Sequence, residues 1–480
     1  MDTSQQPPAF PNTYPGNSAA SNTPPYQQPG PYSSIPYTGN APPYPQPALA
    51  APATRAPSLA WLIRHRYLLA YIIAVLVAIL GAVQSAPDSD LLNFFIPSAR
   101  YVLTGHPFFM YQVRCRMSAY CGTPPEVYPN ANPPLAVFLM APAVALADKL
   151  GWSNNYHYLI GTVTIEFIPV CLLLAYEVDS ALRRLAPELA PAQRYVAFLL
   201  ALFSPLLWQS MLVWNHVEQP LMLYLLLLGL RLLQDRHDGW AGICFGLALY
   251  SRTTALLALF PIFVALAWHR DWLAVIRAGA TTGAVLIIGF APFLLFDRTN
   301  IIYSLEKFHG SLGIGGNSIW TLFVGTPFEQ IARHLDTPTF IGLALVLAFA
   351  SQRLGIAARD RSIYGAIALC LLTFPLLNKT VWSYYYLEPF VFLLIWEFAT
   401  YNEQQSPLWR APVITLAYLC ITMTLSAYIS LHSVNGFFRR LTGVVEFGLM
   451  FSFMLAIWYR AHVSTPVAAR LLRLPARGAP

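Results

Sequence analysis

Two carboxylates, Asp88 and Asp90, stand directly after the first long apolar run of this chain, followed by Leu91, Leu92, Asn93, Phe94 and Phe95 and then Ser98, Ala99 and Arg100. No basic run lies beside them. An acid at the edge of an apolar span can take a proton from a hydroxyl held against it. Acids spaced i, i+2 could also bind a divalent cation, but two carboxylates alone are a thin ligand set. Ordinary solvated loop acids are the plainer reading. Further polar residues recur at the ends of later apolar runs: Trp214, Asn215, His216 and Glu218; Arg252; Lys307 and His309; Asn317 and Ser318; Lys379, Trp382, Ser383, Tyr384 and Tyr385; Arg439 and Arg440. Arg and Lys hold phosphate through charge-assisted hydrogen bonds, and Trp and Tyr offer flat walls to a sugar or a prenyl chain. Here too plainer readings exist. Glu218 and His216 could cap the following helix, and Lys379 could be an interfacial lysine reaching for water. Arg252 is the hardest to read as bland, because a cation with apolar neighbours on both sides usually has a partner or a function.

The scaffold carrying these residues is set by composition. Of 480 residues 56% are hydrophobic and 11% charged, against about 25% charged in a soluble chain. Continuous, non-alternating apolar runs from Tyr67 to Tyr459 argue against a barrel and for an all-α polytopic membrane protein. The net charge of +7 is no nucleic-acid signal, since most Arg falls in short loops where it reports orientation. Residues 1–54 are rich in Pro, Tyr, Ser, Gln and Asn and read as a disordered cytoplasmic tail without a signal peptide, its Pro-Tyr pairs at most an adaptor ligand. Residues 55–461 form the membrane domain, and 462–480 a basic cytoplasmic tail. Cys171, Cys244, Cys370 and Cys420 sit in apolar runs as core thiols, whereas Cys115 and Cys121 share one loop and could pair if that side is oxidising.

Positive charge before 67–83 puts the tail inside and the Asp pair outside. Segment 91–104 reads as an amphipathic helix on the membrane, with Leu92, Phe95, Ala99 and Val102 at helical spacing. Segment 134–147 is short, starts at Pro133 and Pro134 and contains Pro142. Treating it as non-crossing keeps the Arg-bearing loops inside. The remaining spans are 157–176, 195–213, 219–234, 240–256, 257–269, 278–296, 338–352, 362–377, 384–401, 411–431 and 442–459, for about twelve crossings in all. The chain turns near Arg252 at membrane depth. This topology gathers the unusual polar residues on the outer side. No phosphate loop, nucleotide fingerprint or nucleophile elbow is present.

The order of motifs resembles glycosyltransferase family 87, the polyprenyl-phosphate-mannose-type mannosyltransferases of the GT-C superfamily. The residues concerned are Asp90, Phe94 and Phe95, Ser98 and Ala99, Gly105, His106 and Pro107, Tyr128 and Pro129, and Asn132, Pro133, Pro134 and Leu135. They continue as Glu218 and Gln219, Ala241 and Gly242, Gly246 to Ala248 before Arg252, Asn317 and Ser318, and Asn378, Lys379, Trp382 and Tyr385. The resemblance covers about residues 60–460. It implies a GT-C-like bundle of about 12 transmembrane helices with extracytoplasmic juxtamembrane helices and the site on the extracytoplasmic face; the lack of a signal peptide and the compact loops point to a cell (inner) membrane. It implies inverting transfer of a sugar from a polyprenyl-phosphate donor to a glycan or glycolipid acceptor, without a metal or other cofactor. Asp90 would be the general base and Asp88 its neighbour. Arg252 and Lys379 would hold the donor phosphate, and Asn215, His216, Glu218, Asn317, Trp382 and Tyr385 would contact substrate. The family often has Lys where Arg252 stands, and a His-containing signature where this chain has Ser383, Tyr384 and Tyr385. A transporter or flippase of a lipid-linked or polar substrate is the alternative. A non-catalytic scaffold acting through the Pro/Tyr tail is another.

Overall fold

Ala70, Ala74, Ala78 and Ala82 recur every fourth residue. The helix they form, α1 (Arg66–Val83), buries that stripe while Leu68, Ile72, Ile73, Leu76 and Leu80 face outward. Small residues inward and large apolar residues outward is the pattern of a helix packed in lipid, where close backbone approach rather than water exclusion holds neighbours together. The computed structural model describes residues 65–83, 90–113, 130–307, 313–400, 412–432 and 436–463. Asp88, His309, Cys115, Cys121, the 1–54 tail and almost all of 462–480 lie outside them.

Among the described residues the fold is all-α apart from one pair of two-residue strands. After α1 come α2 (Leu91–Leu103), α3 (Leu135–Lys149), α4 (Tyr156–Leu185), α5 (Pro191–Val213), α6 (Glu218–Gln234), α7 (Asp238–Ser251) and α8 (Ala255–Trp268). The chain continues with α9 (Trp272–Phe296), α10 (Glu329–Gln352), α11 (Ser362–Leu377), α12 (Leu387–Ala399), α13 (Val413–His432) and α14 (Gly436–Val463). Six of these, α1, α4, α5, α9, α10 and α14, are long and apolar enough to cross a membrane. Several helices outrun their apolar runs. α10 begins at Glu329 rather than 338, α14 at Gly436 rather than 442, and α4 continues to Leu185 rather than 176. Backbone hydrogen bonding does not stop where apolarity does, and pairs such as Arg333 donating to Glu329 at 2.6 Å support the polar turns. Cys171, Cys244 and Cys370 are buried as core thiols, but Cys420 is exposed on α13.

Segment 91–104 is helical, and its buried face is wider than the expected stripe of Leu92, Phe95, Ala99 and Val102. α2 opens with a π-helical turn, Leu91–Phe95, before the α-helix Ile96–Leu103. The wider turn rotates the phase, so Leu91, Phe94, Phe95, Ser98 and Ala99 are buried while Leu92 and Val102 are only half-buried. α3 lies along α2 and is tied to this segment at both ends. Asn130 donates to Ser98 Oγ at 3.1 Å and Tyr111 to the Asn132 carbonyl at 3.0 Å, and Arg100 grips Asp148 at 2.9 Å. That guanidinium holds the Asp148 carboxyl below the usual carboxylate range.

α7 and α9 pack through glycine. Gly239, Gly242 and Gly246 face Ala278, Thr281, Thr282 and Val285, and Thr281 and Thr282 donate to the Gly239 and Gly242 carbonyls at 2.9 Å each. A Cβ on Gly242 would run into the Ala278 carbonyl and the Thr281 hydroxyl, whereas one on Gly239 would meet nothing nearer than Thr281 Cγ2 at 3.9 Å. Gly242→Val should therefore cost about 1–3 kcal/mol through overpacking. In detergent the expected result is a lowered thermal midpoint for Gly242→Val and little change for Gly239→Ala.

Charged turns gather at one end of the bundle. Arg359 donates to Asp238 and Asp271 at 2.9 Å each and also to the Leu233 carbonyl. At the same end Arg236 reaches Asp271, Arg184 reaches Asp235, and Arg361 donates to the Ala399 carbonyl. The turns carrying Asp90, His216, Arg252 and Tyr384 gather at the opposite end.

Candidate active site

Two π-helical turns shape that opposite end, and each abuts one of the polar residues expected at the site. Asp90 precedes the Leu91–Phe95 turn, and Gln209–Val213 leads into Trp214, Asn215 and His216. π turns of this kind interrupt an otherwise regular helix and re-aim the side chains beyond them. Asn215 then reverses the chain at φ 58°, a left-handed conformation that Asn tolerates better than most residues. The reversal is locked by the His216 amide donating to the Ser210 carbonyl at 2.8 Å. It brings His216 under Asp90 and Glu218 into the first turn of α6.

A chain of charged and polar contacts runs inward from there. Asp90, whose side chain keeps 31% of its exposure, lies with Oδ2 3.4 Å from His216 Nε2. The other ring nitrogen, Nδ1, is 2.6 Å from Glu218 Oε1. The same Glu218 oxygen accepts from Arg252 at 2.6 Å, and Arg252 Nε donates to Glu388 Oε1 at 2.8 Å. Thr254 and Gln219 also donate to Glu388, at 2.9 and 3.1 Å. Ser210 in turn donates to Gln219 at 2.5 Å. Glu218 and Gln219 are fully buried, and Arg252 and Glu388 nearly so. Arg252 can reach both carboxylates because its backbone is extended between the end of α7 and the start of α8, as expected for a chain turning inside the protein.

Aromatic rings enclose this network. Tyr384 packs tilted against His216 with centroids 4.0 Å apart, and the Arg252 guanidinium lies over Tyr384 and Tyr385 at 5.4 and 5.3 Å. Phe95 meets the His216 ring edge-on at 6.5 Å. Trp214 and Trp382 pack at 5.2 Å, both half-buried, and Trp214 donates to Ser383 at 2.9 Å. The result is a half-open acid backed by a buried polar network and flanked by flat aromatic surface.

The structure thus joins Asp90, Asn215, His216, Glu218, Arg252, Trp382 and Tyr385 in one neighbourhood. Lys379 and Asn317 are held in the adjoining strand layer instead. There β1 (Gly315–Gly316) pairs in parallel with β2 (Thr380–Val381). Lys379 Nζ donates to the Arg333 carbonyl at 3.0 Å and its amide to Asp336 at 3.4 Å. Burial pushes the Lys379 amine below its usual range, with Asp336 opposing. The Asn317 amide donates to the Val381 carbonyl at 3.1 Å, and its side chain faces Tyr386 and Glu446. Arg252, expected to hold the donor phosphate, is engaged by Glu218 and Glu388 in a buried setting. The residue missed was Glu388, although an acid in the first turn of a strongly apolar helix meets the same criterion that singled out Arg252. Compared with known protein families and curated proteins, the chain matches no family model and no curated relative.

Proposed function

We propose that this protein is an integral membrane glycosyltransferase of about twelve crossings. It moves a sugar, mannose or another hexose or pentose, from a polyprenyl-phosphate donor to a hydroxyl of an extracytoplasmic glycan or glycolipid acceptor. Asp90 is the general base. The observation that carries the reading is the placement of half-open Asp90 against His216, beside the aromatic face of Trp214 and Trp382. The donor already has an anomeric carbon activated by a phosphate leaving group, so the protein must orient the acceptor oxygen, accept one proton and meet the departing charge. Asp90 takes the proton, and the oxygen attacks opposite the phosphate, inverting the anomeric centre. With Arg252 engaged by Glu218 and Glu388, the phosphate falls to the strand layer. There Lys379 lies next to β2, and Arg439 donates to the Ile314 carbonyl beside β1 at 2.7 Å.

The test uses purified protein in proteoliposomes with a panel of radiolabelled polyprenyl-phosphate sugars and a glycolipid acceptor. Label appearing in a glycoside supports the reading. The break between α7 and α8 also suits a transporter, whose sites lie at discontinuous helices. Labelled lipid moved across the bilayer with no glycoside formed would replace the enzyme by that alternative.

A further inference from the structure

The contact between Asp90 and His216 joins two groups that both accept protons. Glu218 Oε1 accepts from Arg252 at 2.6 Å, so it is a carboxylate oxygen facing His216 Nδ1, which must carry the ring hydrogen and donate. In the neutral ring that leaves Nε2 with its lone pair toward Asp90. Nε2 is buried and makes no hydrogen bond among the described residues, and its 3.4 Å to Asp90 Oδ2 exceeds the roughly 2.7–2.9 Å of a charge-assisted bond. Two acceptors stand face to face, one proton short of a bond.

We propose that His216 is a proton relay for Asp90: the proton that Asp90 removes from the acceptor hydroxyl passes to Nε2, and Glu218 stabilises the imidazolium so formed. This rests on the glycosyl-transfer reading of the same site. In the step, the acceptor O–H bond breaks and its proton goes to an Asp90 oxygen. The acceptor oxygen bonds to the anomeric carbon. The bond from that carbon to the phosphate oxygen breaks, and its electron pair leaves with the polyprenyl phosphate. Asp90 then hands the proton to Nε2 and returns to carboxylate, and the imidazolium releases it to water when product departs. The groups that face His216 are Asp90, Glu218 and the Tyr384 ring, with Phe95 at its edge. Once Nε2 holds the proton, the Glu218 carboxylate on one side and the restored Asp90 carboxylate on the other flank the imidazolium. Arg252 and Glu388 keep Glu218 in line. His216 acts through Asp90 and is a positioning residue that also stores the proton.

The test compares wild type with His216→Gln and His216→Ala in proteoliposomes as a function of pH. Both variants are expected to lose about 10²-fold in kcat with KM for donor and acceptor within about twofold. Their acid limb in kcat should move relative to wild type. Added imidazole should restore rate to His216→Ala in proportion to the free base present. A merely structural histidine would lower the rate without moving the limb and without rescue, and that result overturns the relay while leaving the transfer reading intact. If wild type transfers no sugar at all, the transfer reading fails, and ¹⁵N-histidine spectra of the full chain decide the pair itself. At fixed pH the doubly protonated fraction of His216 should fall on Asp90→Asn, and an unchanged fraction overturns the coupling.

Discussion

Asp90→Asn is expected to lower sugar transfer by about 10²–10⁴-fold, the contribution typical of a general base, without unfolding the protein. The substitution keeps the shape of the side chain and changes its chemistry. An amide cannot accept the acceptor's proton, and the position keeps 31% side-chain exposure, so no buried charge is orphaned by the change. Asp90 also stands at the edge of the core rather than in it. The packing that fixes this segment comes from Leu91, Phe95 and Ala99, which are fully buried and untouched by the change. Thermal midpoints of wild type and variant should therefore agree. Asp90→Glu is the sharper comparison. It keeps the base but moves it by a methylene, and a misplacement of about 1 Å can cost 10²-fold. The measurement is the initial rate of label transfer in proteoliposomes, with the folded fraction checked by size-exclusion chromatography. If Asp90→Asn transferred sugar at the wild-type rate, the assignment of the base would be lost.

The parts of this site that the sequence makes legible are those built from neighbours in the chain. Asp90 with Phe94 and Phe95 occupies a single turn, and His216 with Glu218 spans one reversal, so their types and spacing already mark them as candidates. Pairing across long separations is not legible in the same way. Arg252 stood out because a cation among apolar residues needs a partner. The partner, Glu388, is 136 residues away, and nothing local to Arg252 says whether its charge is met by protein or by phosphate. The same limit explains Lys379, which shares a sequence neighbourhood with Trp382 but is held by Arg333 and Asp336 of α10. For the fold, apolar runs located the helix centres and missed their polar ends, because α4 and α10 continue on backbone bonds and ion pairs past the last apolar turn. The buried face of α2 is broader than the sequence stripe because a single π turn shifts a periodicity that is counted at 3.6 residues.

Arg252→Ala should destabilise the protein by about 3–5 kcal/mol, the usual result of removing one partner from a buried ion pair. The arginine sits between two carboxylates, 2.6 Å from Glu218 and 2.8 Å from Glu388, and both acids are almost wholly buried. Without it they face each other in a low-dielectric interior. Thr254 and Gln219 still donate to Glu388, but no cation is left to offset Glu218. Arg252→Lys should recover only part of the loss, because an ammonium is a point charge and cannot reach two carboxylates through separate nitrogens as the guanidinium does. Removing the negative charge along with the positive one should recover more. In Arg252→Met with Glu388→Gln, the amide can still bond Thr254 and only one buried acid remains uncompensated. The double variant is therefore expected to be more stable than Arg252→Met alone, a non-additivity diagnostic of direct coupling. Denaturation midpoints of the detergent-solubilised variants provide the measurement. The same series separates this role from phosphate binding. An arginine that held the donor would, when removed, raise KM for the donor and leave stability almost unchanged. An arginine that holds Glu218 in place, and through it His216, would lower stability and kcat while KM for donor stays near wild type. The second pattern is the expected one, because one guanidinium between two carboxylates leaves a net negative cluster that would repel a third anion.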